Sequence, residues 1–114
     1  PGMLSKDGRT VMPYGVMGGQ YQPVGQSQVV TNVVDFGMDP QEALDMPRAF
    51  HFDEEYQLER GVPAETEAGL QAMGHKTIRF DTPHGGGQAI WIDWENNSLM
   101  GGSDPRKDGI ALGY

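Results

Sequence analysis

The sequence predicts an α+β domain, layered from antiparallel hairpins and two or three helices, and three stretches predict it. Lys6-Asp7-Gly8 separates two arms of mixed apolar and polar residues, a pattern typical of a tight hairpin. Val29, Val30, Val33 and Val34 fall on one face of a helix expected over Val24–Phe36. Gln88–Trp94 carries Ile90, Ile92 and Trp94 on one face and Ala89 and Trp91 on the other, and a polar turn and a return arm follow it. Strands apolar on both faces belong in the middle of a layered fold.

In chain order, Leu4–Met12 is the first hairpin, because Asp-Gly accepts the positive φ that a two-residue turn needs. Its second arm, Thr10–Met17, contains Pro13, which cannot donate to a ladder, so a short or bent strand is expected. That arm delivers Gly18-Gly19. A glycine turn between a strand and a helix leaves backbone N–H groups unobstructed by side chains, the means by which a protein holds an anion or a developing oxyanion. Most of the 17 glycines must serve as ordinary turns, so the pair alone does not decide this. Pro23 suits the first turn of the helix that follows. Its valines are mediocre helix formers, and its polar residues carry little charge, so it is expected to be sandwiched by tertiary contacts. Asp35, the ionised group near its end, reads as a partner for an arginine or a backbone amide.

Gly37 closes that helix, and Asp39-Pro40-Gln41-Glu42 opens a short one. Asp39 is the N-cap, Pro40 takes the first helical position and Glu42 completes a capping box, with Met38 and Ala43 stapling the start. Pro47 ends it. Tyr56–Arg60 alternates as a strand with one wet face. Asp53-Glu54-Glu55 beside His51 reads as a solvated loop, since no second histidine stands at ligand spacing. Pro63–Met73 is a surface helix with acids in its first turn and Gly74 as its cap. Lys76–Phe80 is a strand with Ile78 and Phe80 on one side. His84, among the glycines of Thr82–Gly87, reads as a loop histidine, because no serine or cysteine nucleophile stands in a motif with it. Glu95–Ser98 turns the central strand into Leu99-Met100, and Ser103–Arg106 ends that arm.

Composition bounds the rest. At 114 residues the chain holds a single modest core, and 37% hydrophobic with 21% charged residues fits a globular protein. A formal charge of −8, with only 8 lysines and arginines that do not cluster, argues against a nucleic-acid partner. No stretch has the length of a membrane span or the look of a targeting segment, and the absence of cysteine excludes disulfide and thiolate chemistry while leaving the compartment open. Neither a metal nor another cofactor is expected. The start at Pro1, without an initiator methionine, reads as that of a fragment or processed product.

Several of these stretches, taken together and in order, resemble one family. Gly15-Val16-Met17-Gly18-Gly19, Val29–Met38, Ala43 through Pro47-Arg48, His51, Ala72-Met73-Gly74-His75, Gly87-Gln88-Ala89-Ile90 and the run from Gly102-Ser103-Asp104-Pro105-Arg106 to Gly113-Tyr114 are similar to the C-terminal part of the gamma-glutamyltranspeptidase small subunit. The resemblance implies part of a four-layer αββα N-terminal-nucleophile hydrolase. In that family the new N-terminal threonine of a self-cleaved precursor attacks a γ-glutamyl carbonyl, with its own α-amine as base. An acyl-enzyme forms and is resolved by water or an acceptor amine. The paired-glycine amides hold the oxyanion, a role that falls here to Gly18 and Gly19.

The nucleophile itself is not implied for any residue of this chain. Thr10, Thr31, Thr66, Thr77 and Thr82 lie in matched segments of another kind, and the family's nucleophile and donor-binding serine pair are expected upstream of Pro1. The chain alone is therefore expected to be inactive. Its implied partners are the remainder of the precursor and a γ-glutamyl small molecule, with no nucleic acid and no membrane. Uncovered strands should also make the isolated chain a homo-oligomer. Many family members carry Ser-Pro before the glycines and Ser after them, where this chain has Val16-Met17 and Gln20. That leaves the donor open between glutathione, another γ-glutamyl compound and the side-chain amides of related acylases. The alternative from another class is a stand-alone anion-binding or structural interaction domain without catalysis.

Overall fold

The structure, a computed structural model, describes all residues from Pro1 to Tyr114. In chain order its elements are β1 (Gly2–Lys6), β2 (Arg9–Met17), α1 (Gln22–Val34), α2 (Pro40–Asp45), β3 (Ala49–Phe52), β4 (Glu55–Glu59), α3 (Ala64–Ala72), β5 (Thr77–Phe80), β6 (Gly86–Asp93) and β7 (Ser98–Ser103). Contacts gather them into two compact units, Pro1–Asp45 with Gly85–Tyr114, and Met46–His84. No helix is long and apolar enough to cross a membrane.

The first unit is a four-stranded sheet ordered β1-β2-β6-β7, antiparallel throughout. Asp7 (φ 52) and Gly8 (φ 75) make the expected two-residue hairpin turn. Of the short or bent strand expected, the first is corrected: β2 runs for 9 residues, with a register irregularity against β1 between Leu4 and Ser5. The effect of Pro13 is on pairing. The β2–β6 ladder spans Tyr14–Met17 and stops at Pro13, the residue with no N–H to extend it. Beyond that point Trp94 Nε1 donates to Thr10 O at 2.8 Å, and Arg9 lies 4.6 Å over the Trp94 ring.

One face of this sheet is covered by α1 and α2, and the core lies between, formed by Met12, Val16, Tyr21, Val29, Val33, Ala43, Leu44 and Ala89. Asn32, buried on α1, donates to Ala43 O at 3.2 Å and ties the two helices together. The capping box is present in both directions: Glu42 N donates to Asp39 Oδ1 at 2.8 Å and Asp39 N to Glu42 Oε2 at 3.0 Å.

Coverage departs from a full sandwich at two elements of this chain, unexpectedly at α1 and, as expected of uncovered strands, at β6. Helix α1 buries Gly25, Val29, Asn32 and Val33 but leaves Val34 58% exposed, so it is half-covered rather than sandwiched. The central strand β6 is likewise covered on one face only. Ile90 stands exposed on the other, beside Met3, Met17 and Leu99, all on the outer face by register. The C-terminal run returns over part of this face: a Cβ on Gly101 would lie 3.0 Å from Ala111 Cβ, and one on Gly109 would lie 2.6 Å from Ser103 Oγ.

The second unit is a three-stranded sheet ordered β3-β4-β5, with β3–β4 antiparallel and β4–β5 parallel, the crossover being α3. Asp53 (φ 52) and Glu54 (φ 65) form the β3–β4 turn, and Glu55 pairs with Lys76 at 2.6 Å. Helix α3 has no buried residue, as a surface helix should. β4 departs from its one wet face at its last residue. Glu59 is only 8% exposed because its carboxylate is engaged: Oε2 accepts from Arg48 N and Oε1 from His84 N, both at 2.9 Å. Arg48 Nη1 in turn donates to His84 O at 2.6 Å.

Candidate functional site

The glycine turn sits where the sheet of the first unit hands over to α1. β2 ends at Met17, Gly18 adopts φ 139 and ψ 26, and Gly19 adopts φ 58. Gly18's conformation is one that residues with a Cβ rarely take, so a glycine is required there. Tyr21 N donates to Gly18 O at 3.1 Å, closing a 3-10 turn over Gly19–Tyr21 that runs directly into α1. Among the turn and loop hydrogen bonds, neither the Gly18 N–H nor the Gly19 N–H donates to a carbonyl. Gly19 is exposed, and no atom lies within 4 Å of where its Cβ would be.

The electrostatics favour an anion. The first turn of α1 carries no acidic side chain, so the positive end of the helix dipole behind the glycine turn is not cancelled by a carboxylate. An open concavity of about 620 Å³ on the outer face of the sheet is lined by Gly15, Met17, Gln22, Gln88, Ile90 and Lys107, among others. Met17 and Gln22 bracket the glycine pair, placing the turn at the rim of this hollow rather than within its lining.

The strand end is fixed from the β6 side. Gly85 (φ 61) lies so close that a Cβ there would collide with Met17 O. Asp104, fully buried, accepts from Gly87 N at 2.8 Å and from Arg106 N at 3.0 Å, while Arg106 Nη1 contacts both Asp104 Oδ1 (3.1 Å) and Leu44 O (2.8 Å). This knot ties the start of β6 to α2. The sequence reading missed it; the signal was Asp-Pro-Arg, an N-cap followed by proline at the first helical position.

The remaining candidates are structural. His84 is buried, stacked face to face on Phe80 with ring centroids 5.4 Å apart and edge-on to Phe50 at 5.9 Å. Asp35 is exposed as the C-cap of α1, with no arginine or backbone donor on its carboxylate, which corrects the sequence reading. The helix ends at Val34 rather than at Phe36, and Asp35 is left exposed to solvent. His51, Asp53, Glu54 and Glu55 form no group able to hold a metal ion.

The sequence model of the gamma-glutamyltranspeptidase family matches residues 1–114. The chain belongs to that family. As a gamma-glutamyltranspeptidase-family chain it is 36% identical to the glutathione hydrolase-like YwrD proenzyme of Bacillus subtilis (strain 168), a match covering 99% of this chain and 23% of that protein. It superposes on the cephalosporin acylase of Bacillus halodurans with a TM-score of 0.90 at 39% identity, covering 98% of this chain and 22% of the acylase. An acivicin-inhibited gamma-glutamyltranspeptidase superposes with a TM-score of 0.87 at 27% identity, over 96% of this chain and 60% of that one. The chain thus spans about a fifth of the length of the curated relatives it matches, 23% of one and 19% of another. Its relatives in this gamma-glutamyltranspeptidase family are enzymes, and its α+β fold is part of their N-terminal-nucleophile hydrolase architecture.

Proposed function

We propose that this chain supplies the oxyanion-binding turn of an enzyme that cleaves a γ-glutamyl amide through an acyl-enzyme. The reading rests on the Gly18–Gly19 turn: two consecutive amides at a strand end, in front of an unneutralised helix N-terminus and at the rim of an open hollow. In this mechanism a threonine hydroxyl from polypeptide outside these residues adds to the γ-carbonyl, and its proton passes to the threonine's own α-amine. The carbonyl oxygen becomes negative and accepts from the Gly18 and Gly19 N–H groups. Collapse re-forms the carbonyl and expels the amine, which takes up the proton. Water or an acceptor amine then releases the acyl group by the same steps in reverse.

The test is made on the full-length protein with a γ-glutamyl anilide. Gly19→Val places a β-branched residue at φ 58, which twists the turn, and should lower kcat about ten- to a thousandfold, the scale of losing one oxyanion donor. An unchanged kcat would take the glycines out of the mechanism. The isolated 114-residue chain should show no turnover, and turnover would mean that it carries a nucleophile of its own.

A second reading, hydrolysis of an acyl side-chain amide, is favoured by the 39% identity to the cephalosporin acylase and by Val16-Met17 and Gln20 around the glycines. Rates on the anilide and on an acylated cephalosporin, measured side by side, separate the two.

A further inference from the structure

We propose that Tyr21 is a positioning residue, whose ring wedges the glycine turn into the geometry that the oxyanion requires; the inference rests on the reading of Gly18 and Gly19 above. Glycine-only conformations are also the freest, so a turn built from two glycines holds its amides on target only if something outside it restricts them. Tyr21 is that restraint. It is 2% exposed, and its ring reaches three backbone segments, each at a glycine. Tyr21 Cδ1 lies 3.3 Å from the position of a Cβ on Gly18 and 3.1 Å from one on Gly85, while Cε1 and Cζ lie 2.5 and 3.0 Å from one on Gly25. The ring therefore occupies the room that three missing side chains leave at the end of β2, the approach to β6 and the first turn of α1. The Tyr21 N–H to Gly18 O bond closes the turn from the same residue, and Tyr21 OH donates to Gln28 Oε1 at 3.0 Å, anchoring the ring tip to α1.

The ring, not the hydroxyl, sets the turn in this account. In the full-length enzyme Tyr21→Ala should lower kcat about ten- to a hundredfold with KM nearly unchanged, because the lost interaction acts on the transition state. Tyr21→Phe, which keeps the ring, should stay within about threefold of the parent. Gly25→Ala brings a Cβ to 2.5 Å from the ring and 2.8 Å from Val16 Cγ1. It pushes the ring aside without changing it chemically, while also pressing on the end of β2, and should reproduce the loss while favouring the helix. A readout that general destabilisation would not move is binding of a tetrahedral γ-phosphonate mimic against binding of glutamate: the two ring-displacing variants should lose affinity for the first and keep it for the second. Equal loss for both ligands, full kcat in Gly25→Ala, or a Tyr21→Phe as slow as Tyr21→Ala would each overturn the inference. If Tyr21→Ala does not mature, Gly25→Ala and Tyr21→Phe decide between the two outcomes. Should the parent enzyme bind the tetrahedral mimic no better than glutamate, the oxyanion reading itself falls; a parent that discriminates and variants that do too would sink only the role of Tyr21.

Discussion

Glu59 shows how much one side chain organises. Its two carboxylate oxygens accept from the backbone amides of Arg48 and His84, closing the second unit between the start of β3 and the segment after β5. Removing the carboxylate leaves two buried N–H groups with no acceptor, at about 1–3 kcal/mol each. Glu59→Ala should therefore lower unfolding stability by several kcal/mol, read as a fall in the urea midpoint, and Glu59→Gln, which keeps one strong acceptor, by less. A midpoint unmoved by Glu59→Ala would mean that water replaces the carboxylate. Nothing near Glu59 in the sequence betrays this. It stands in an alternating strand between the buried Leu58 and the exposed Arg60, and its donors come from residues far away along the chain.

Among the elements, those governed by adjacent residues were readable and those governed by distant ones were not. The Asp7-Gly8 turn and the Asp39–Glu42 capping box each depend on residues within one turn, and both form as expected. The extent of α1 burial and the effect of Pro13 depend on which neighbour lies alongside, which periodicity does not specify. The glycine turn was legible as a motif; its dependence on Tyr21 and Gly85 was not, because the contact with Gly85 exists only once β2 and β6 pair. Helix α3 yields a pH dependence. It has no buried residue, and Glu67 accepts from Arg79 Nε at 2.8 Å and from Thr77 Oγ1 at 3.0 Å. The Arg79 hydrogen bond holds the Glu67 carboxyl below the usual carboxylate range, with Thr77 acting in the same direction against partial desolvation. A depressed folded-state pKa means that the contribution is complete above the unfolded value and is lost as pH falls through the folded one. Hydrogen exchange in Ala64–Ala72 should therefore accelerate, relative to the β4 amides, as the solution is acidified below the ordinary glutamate range. An exchange ratio that stays flat through that range would detach α3 from this contact.

At the scale of the whole molecule, the outer face of the first unit's sheet decides behaviour. Met3, Met17, Ile90 and Leu99 stand exposed together there, the last of them at 70%. A sheet face with exposed apolar side chains of this kind seeks a partner. The isolated chain should self-associate despite its charge of −8, giving a mass above that of one chain by light scattering at high concentration. A clean monomer there would count against it.

The three glycines under the Tyr21 ring have a practical meaning for anyone who wishes to redirect the proposed activity. Positions 18, 25 and 85 are closed to diversification, since any side chain there displaces the aromatic or the strand end. Positions 17 and 20 are open to solvent and flank the proposed reaction centre, so libraries aimed at a new acyl donor belong there.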